Sequence, residues 1–271
     1  MLAVSNSRLG PYRDRGLIWP GDQEGLGHNV TALRLPSGAY AVVVSETRDG
    51  TVFVSRAIDG PFRKLGTIKI DQSRYPLLKT PGDRVDRPGT LPQRLSNASV
   101  ILRPDGAFQI VPRSGQMLIS RTGILGPYQV MGDSVYYRLP GIPQRDMRAY
   151  EDPVIWHSGG WYHLIVNHWR ERRAYHLISR DGITGWRFQG LAYGPEADFI
   201  RYTDGTRNHW NKLERPGVVL EGGHVTALTF AVTDTPKDSQ TGNNGHGSKV
   251  IVVPFDGAPM DHDLENIDRA P

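Results

Sequence analysis

The chain has 271 residues, with 31 glycines, 20 prolines and no cysteine. Glycine and proline approach a fifth of it, against roughly 12% on average, which excludes a helical bundle or a coiled coil. Hydrophobic residues at 38% exclude wholesale disorder, and a diffuse net charge of +4 does not mark a nucleic-acid surface.

In chain order, the elements recur. Ser7-Arg8 leads to Gly10-Pro11-Tyr12, a turn signature near the N-terminus. His28-Asn29-Val30-Thr31 then puts polar residues ahead of a strand, followed by a Ser37-Gly38 hairpin and the apolar run Ala39 to Val44. Ser55-Arg56 to Gly60-Pro61-Phe62 repeats the turn signature. Asn97-Ala98-Ser99 repeats the polar motif, with its hairpin at Asp105-Gly106, and Ser120-Arg121 to Gly126-Pro127-Tyr128 closes that unit. Glu151-Asp152-Pro153, Gly159-Gly160 and the run Trp161 to Asn167 follow, ending at Ser179-Arg180 and Gly185-Trp186-Arg187-Phe188. Glu214-Arg215-Pro216 with Gly222-Gly223 opens the last unit. From Asn29, Asn97, Asp152 and Arg215 to the hairpin glycine the spacing is 9, 9, 8 and 8 residues. The turn glycines Gly10, Gly60, Gly126 and Gly185 are 50, 66 and 59 apart.

A repeat of ~50 residues carrying about four strands is a propeller blade. Residues 1–271 therefore read as a single all-β, five-bladed β-propeller domain, with blade landmarks near 1–19, 28–70, 96–131, 150–191 and 213–256. Residues 71–95, 132–149 and 189–212 read as inter-blade loops, and no helix-period segment longer than about two turns stands out. The first turn signature lacks the two inner strands that precede it elsewhere, so the first blade is incomplete at the N-terminus. Either the acidic, Pro-containing segment after Phe255 closes it, or an N-terminal portion is missing. The second is the expectation.

Innermost strands of a propeller begin at a central funnel, so the polar motifs of separate blades aim at one point. Asn or Asp ahead of a strand also serves as a plain turn cap, the competing reading for each motif. Glu151-Asp152-Pro153 is the sharpest feature, because adjacent carboxylates are costly to bury without a purpose. Glu214-Arg215-Pro216 repeats its layout. A pair of carboxyl groups flanking one bond is what glycoside hydrolysis generally requires, which makes Asp152 and Glu214, with Glu151, the catalytic candidates. Arg148 suits a sugar carboxylate or sulfate. His28, His163, His176, His224 and His246 fall near inner-strand positions, and His163, Asn167 and Trp169 share one strand face. Trp156, Trp161 and Trp186 read as blade core, and Trp169 and Trp210 as ligand platforms. The histidines leave room for a structural or funnel-bound divalent cation, but no close-spaced zinc motif assigns a metal site. There is no P-loop, dinucleotide glycine pattern or G-x-S-x-G elbow. No signal peptide or membrane-length apolar run is visible, so the chain reads as soluble, cytoplasmic unless a secretory N-terminal portion is missing.

At these residues the sequence resembles the five-bladed β-propeller glycoside hydrolases, the glycoside hydrolase family 43-like superfamily. The likeness rests on His28-Asn29-Val30-Thr31, Asn97-Ala98-Ser99, Tyr150-Glu151-Asp152-Pro153 with Trp161 to Asn167, and Leu213-Glu214-Arg215-Pro216. His176 to Gly182 and His246 to Lys249 add to it, and it covers about residues 20 to 256. It implies exo-acting hydrolysis of a plant or algal polysaccharide or oligosaccharide. Glu214 would be the acid and Asp152 the residue that tunes it. The family's base Asp has no counterpart: His28 stands in the next blade, and Asp22 or Glu24 just upstream would substitute. His28, Asn29, Asn97, Arg148, His163, Asn167, Trp169, His176 and Arg215 would bind the carbohydrate, an anionic one being compatible with the charge. A polysaccharide lyase and a non-catalytic carbohydrate-binding propeller are the rival readings. No nucleic-acid or membrane partner is expected.

Overall fold

A computed structural model of the chain describes residues 2–18, 29–45, 50–73, 95–194, 199–202, 204–207, 209–236 and 248–267. His28, Asp22, Glu24 and His246 lie outside the described residues. The chain divides into two compact units, Met1–Arg138 and Leu139–Pro271.

In the first unit, β1 (Ala3–Val4) and β2 (Arg13–Asp14) form a two-stranded ribbon at the place of the incomplete blade. Next, β3 (Val30–Arg34), β4 (Tyr40–Val44), β5 (Thr51–Ser55) and β6 (Arg63–Thr67) make an antiparallel four-stranded meander. A second meander joins β8 (Ser99–Leu102), β9 (Phe108–Val111), β10 (Leu118–Ser120) and β11 (Tyr128–Val130). Here the sequence reading needs a correction: β7 (Ile70–Asp71), placed at the end of the preceding blade, pairs in parallel with β11 and becomes the fifth strand of this sheet. Val43, Val52, Ile110, Leu118 and Tyr128 belong to one buried core that draws on both meanders. Each fully buried aliphatic side chain contributes roughly 1.5–3 kcal/mol.

In the second unit, β12 (Tyr150–Ser158), β13 (Trp161–His168), β14 (Arg173–Ser179) and β15 (Arg187–Tyr193) form the longest meander. It is followed by a three-stranded sheet of β16 (Lys212–Glu221), β17 (His224–Thr233) and β18 (Ser248–Pro254). Trp156, Ile165, Tyr193, Trp210 and Phe230 form the core of this unit. The described residues thus hold four blade sheets and a ribbon, where the sequence suggested five blades.

The repeated landmarks have physical causes. Ser7, Ser55 and Ser120 each accept the backbone N–H two residues on, at 3.2, 3.1 and 3.3 Å, which turns the chain out of a strand. Tyr12 and Tyr128 each donate from the hydroxyl to the carbonyl four residues back, at 2.5 and 2.9 Å. The paired glycines Gly159-Gly160 and Gly222-Gly223 all have positive φ, as the tightest hairpin turns require.

The C-terminus brings a second correction. α1 (Ala258–Ile267) is a helix of nearly three turns, in a stretch that reads only as acidic and Pro-containing. Pro259 sits in its first turn, where a missing N–H costs nothing. Asp256 accepts the Ala258 N–H at 3.3 Å, and Leu264 packs on Trp161 and Ile178. Among the described residues no helix is long and apolar enough to cross a membrane.

Candidate functional site

The four residues singled out by the repeat share an unusual backbone. Asn29, Asn97, Asp152 and Arg215 have φ of 58, 46, 50 and 50°, in the left-handed region. Non-glycine residues enter it seldom, at a cost of order 1–3 kcal/mol. In the second unit the cause is a pair of matching β-bulges. Register shifts by one residue between Glu151 and Val154 against β13, and between Glu214 and Gly217 against β17. Pro153 and Pro216 fall inside these bulges, where the ladder needs no N–H. The Glu-x-Pro pattern is therefore a device for bending the strand start and re-aiming its side chains.

In the first unit the corresponding residues hold each other. Asn29 Nδ2 donates to Asn97 Oδ1 at 2.7 Å, and Ser96 Oγ donates to the same oxygen at 3.2 Å. Ser45 Oγ donates to the Asn29 carbonyl at 3.0 Å and accepts the Ala98 N–H at 3.1 Å, while Thr31 donates to the Ala98 carbonyl. This is a polar seam joining the starts of β3 and β8.

In the second unit the bulges bring together charges. Asp152 is 7% exposed, and the half-exposed Arg215 guanidinium lies 3.7 Å from its carboxylate, across from the neighbouring sheet. Glu214 is half-buried and accepts from Lys212 Nζ at 2.8 Å. Glu151 pairs across the ladder with Asn167 of β13. Beneath them stands Tyr193, at the end of β15. Burial and then the negative charges of Asp152, Glu214 and Glu151 push its phenol far above the ordinary tyrosine range, so it is a permanent donor. Its hydroxyl is buried with no hydrogen-bond partner among the described residues.

Asn167 and Glu214 line one small cleft with Trp210, Asn211, Lys212 and Arg172. Arg172 lies in the β13–β14 turn at φ 52°, and its Nη1 donates to the Asn211 carbonyl at 2.8 Å. Trp169 is 39% exposed just beyond β13, with the Arg170 guanidinium 5.1 Å from its ring. Arg148 is exposed on a 3-10 turn, Met147–Ala149, leading into β12. Trp156, Trp161 and Trp186 are buried, and Trp210, though 4% exposed, lines the cleft.

His163 and His176 stand apart from this group. His163 is fully buried opposite Trp156, four residues up β13 from Asn167, or about 13 Å of strand. Its ring and that of His176 both stack on Trp156, at 4.8 and 5.7 Å, with 5.2 Å between the two imidazoles. His163 Nδ1 is 3.0 Å from His176 Nε2, and Nε2 reaches Ser158 Oγ at 3.3 Å. Ser158 donates to Asp261 of α1 at 2.8 Å, and His224 bonds the other oxygen of that carboxylate at 2.6 Å. Burial lowers both stacked histidines to about 4, helped at His163 by His176, so at neutral pH both rings are neutral. They act as a polar thread tying α1 to β12 and β13. Among the described residues no group of three or more His, Asp or Glu is placed to hold a metal ion.

Sequence reading did not single out Tyr193, Arg172 or Asn211. Tyr193 ends an ordinary strand, and the other two sit in turns whose approach to Glu214 depends on the packing of β13 through β16. The one local signal is Trp210-Asn211, two residues ahead of Leu213-Glu214.

Two antiparallel meanders in each unit, with chain order equal to strand order apart from β7, define a propeller protein. Comparison with solved structures agrees on that class. A novel α-L-arabinofuranosidase of glycoside hydrolase family 43 from Clostridium thermocellum ATCC 27405 superposes with a TM-score of 0.55 at 12% identity, over 90% of this chain and 79% of that one. A putative exo-β-1,3-galactanase from Bifidobacterium bifidum s17 gives 0.54 at 15%, over 91% and 76%. A family 43 β-1,3-galactosidase with galactodeoxynojirimycin gives 0.53 at 15%, over 90% and 79%. The chain thus has the β-propeller fold of family 43 glycoside hydrolases. No protein-family pattern and no curated protein matches the sequence.

Proposed function

We propose that the chain is a glycoside hydrolase acting on a plant or algal polysaccharide or oligosaccharide, in an exo manner, with Asp152 and Glu214 as its carboxylate pair. The observation that carries this reading is the pair of matching bulges. They set two carboxylates at the starts of adjacent inner strands, one pressed into the protein beside Arg215 and the other half-exposed beside Lys212. Glycoside hydrolysis uses two carboxyl groups in unlike environments, one to give a proton and one kept ionised. Glu214 suits the acid, since it lines the cleft and is open to solvent. Asp152, shielded from water beside Arg215, suits the residue that orients its neighbours. The names of the proteins of like fold, an arabinofuranosidase, a galactanase and a galactosidase, support a carbohydrate substrate.

The test is release of reducing sugar from arabinan, β-1,3-galactan and their oligosaccharides by the wild-type chain, Glu214→Gln and Asp152→Asn. The reading expects release by the wild type alone, with all three proteins folded. Equal release by the variants refutes the pair, and an unsaturated, ultraviolet-absorbing product would make the protein a lyase.

A further inference from the structure

The sheets do not protect their last strands alike. A strand edge with unpaired backbone groups is a template for another chain, and proteins blunt it with charge, bulges or brevity. β6 carries Arg63 and Lys64 and a register shift against β5. β7 is two residues long, and β15 shifts register against β14 twice. By contrast, the seven residues of β18 pair with β17 without a break, and four of them are Val or Ile. Its one charge, Lys249, is held by Asp234 at 2.8 Å. Among the described residues no strand pairs with the other edge of β18. Val250 is 77% exposed, more than any other large hydrophobic side chain among them.

The direction of the backbone groups follows from one bond. Phe255 N–H donates to the Thr226 carbonyl at 3.0 Å, which fixes the phase of the β17–β18 ladder. Antiparallel pairs alternate along a ladder, so Val253, Ile251 and Lys249 turn their backbone groups to β17. Pro254, Val252, Val250 and Ser248 turn theirs outward. Pro254 therefore lacks only an N–H that β17 does not use.

This edge is complementary to itself. Two copies of β18 laid antiparallel with Ile251 on the axis set Val250 opposite Val252, Lys249 opposite Val253 and Ser248 opposite Pro254. Outward groups then meet outward groups. The Val250 N–H faces the Val252 carbonyl of the second copy, the Val252 N–H faces its Val250 carbonyl, and the Ser248 N–H faces its Pro254 carbonyl. No lysine meets a lysine. A slip of one residue would set outward groups against inward ones, and a slip of two would shorten the pairing. Cross-strand pairs of β-branched residues contribute roughly 0.2–1 kcal/mol each.

We propose that two copies of the chain associate through β18, antiparallel about a two-fold axis at Ile251, joining their last sheets into one. The interface is isologous, and β18 has a single outer edge, so assembly stops at two. Seven residues a side bury less than the roughly 800 Å² per partner of a standard interface, which makes the dimer weak and reversible. The proposal is independent of the hydrolase reading.

Sedimentation velocity on the intact chain, from low to several hundred micromolar, should show the mass rising from one copy to two. Val250→Pro removes an outward N–H and nothing that β17 uses. It should weaken dimerisation tenfold or more and leave the melting temperature nearly unchanged. The sequence has no cysteine, so Ile251→Cys carries a single thiol. On the axis a non-hydrogen-bonded pair brings two Cα atoms to about 4.5 Å, within disulfide reach. Mild oxidation of Ile251→Cys should give a covalent dimer, and Val253→Cys, which faces Lys249, should not. If Val250→Pro fails to fold, the two cysteine variants decide. A chain that stays monomeric overturns the proposal, as does a mass that climbs past two copies. A dimer of wild-type strength in Val250→Pro, or a covalent dimer formed as readily by Val253→Cys, overturns it too.

Discussion

Acid should loosen this protein well above the range in which its carboxylates titrate. His163 and His176 are stacked on Trp156 inside the β12–β15 sheet, and their folded values fall to about 4 from an ordinary 6.5. A depressed histidine stabilises the fold fully above pH 6.5 and loses that contribution as pH falls towards 4. His163 faces His176 from β14, Ser158 and His157 from β12, and Asp261 from α1, of which only the Asp261 charge and the Ser158 bond favour its charged form. By pH 4.5 each ring, neutral in the folded chain and charged in the unfolded one, should cost about 2–3 kcal/mol, roughly 5 kcal/mol for the pair. For a domain of this length that is a fall of roughly 8–10 °C in melting temperature. Differential scanning fluorimetry at fixed ionic strength between pH 7.5 and 4.5 would measure it. Asp181, whose carboxyl is held down to about 2, loses its contribution only at lower pH, so it does not blur the window. In His176→Phe, which keeps an aromatic in the stack, the slope should fall by roughly half. A melting temperature flat from pH 7 to 4.5, or an unchanged slope in the variant, would refute the reasoning.

Other substitutions test separate parts of the account. Leu264→Ala, which empties the contact of α1 with Trp161 and Ile178, should cost 2–5 kcal/mol in urea unfolding, about the range for a buried leucine. Gly159→Ala should destabilise by a few kcal/mol, because a Cβ there would come within 2.6 Å of the Asp261 Cβ at a φ of +55°. Glu214→Gln should lower kcat by about a thousandfold or more with little change in melting temperature, as loss of a general acid would. Arg215→Met should weaken activity while leaving the fold intact, since its guanidinium is half-exposed.

The blades could be read from the sequence because their punctuation is local. A serine that turns the chain two residues on, and a glycine pair with positive φ, act within a few residues, so they leave a mark at fixed spacing. The left-handed positions were visible for the same reason, as Asn, Asp or Arg at one place in each repeat. The role of those positions was less visible. Whether Asn97 bonds Asn29, or Asp152 meets Arg215, depends on a partner about 60 residues away. The histidines show this most clearly: period-2 spacing puts His163 and Asn167 on one strand face, yet the sheet's length carries one to α1 and the other to the cleft. His28, Asp22 and Glu24 fall outside the described residues, so a substitute for the base stays a reading of sequence alone.

One repeat position has been put to two uses, and the difference bears on function. Asn29 and Asn97 carry the left-handed strain and recover it in a seam of short neutral hydrogen bonds. Asp152 and Arg215 carry the same strain, but their contact is a 3.7 Å ion pair with one partner half in water, worth little to a fold. Burying a carboxylate to 7% exposure is costly, and in the proposed hydrolase that carboxylate is kept for chemistry. The two uses separate by experiment. Asn97→Gly keeps the backbone conformation and removes the bonds to Asn29 and Ser96, and should cost about 1–2 kcal/mol. Asp152→Asn keeps shape and conformation and removes only the charge. Its melting temperature should hold or rise while sugar release is lost. If Asp152→Asn instead unfolds the protein as Asn97→Gly is expected to, the carboxylate is another structural seam, and the strain at Asp152 serves the fold alone.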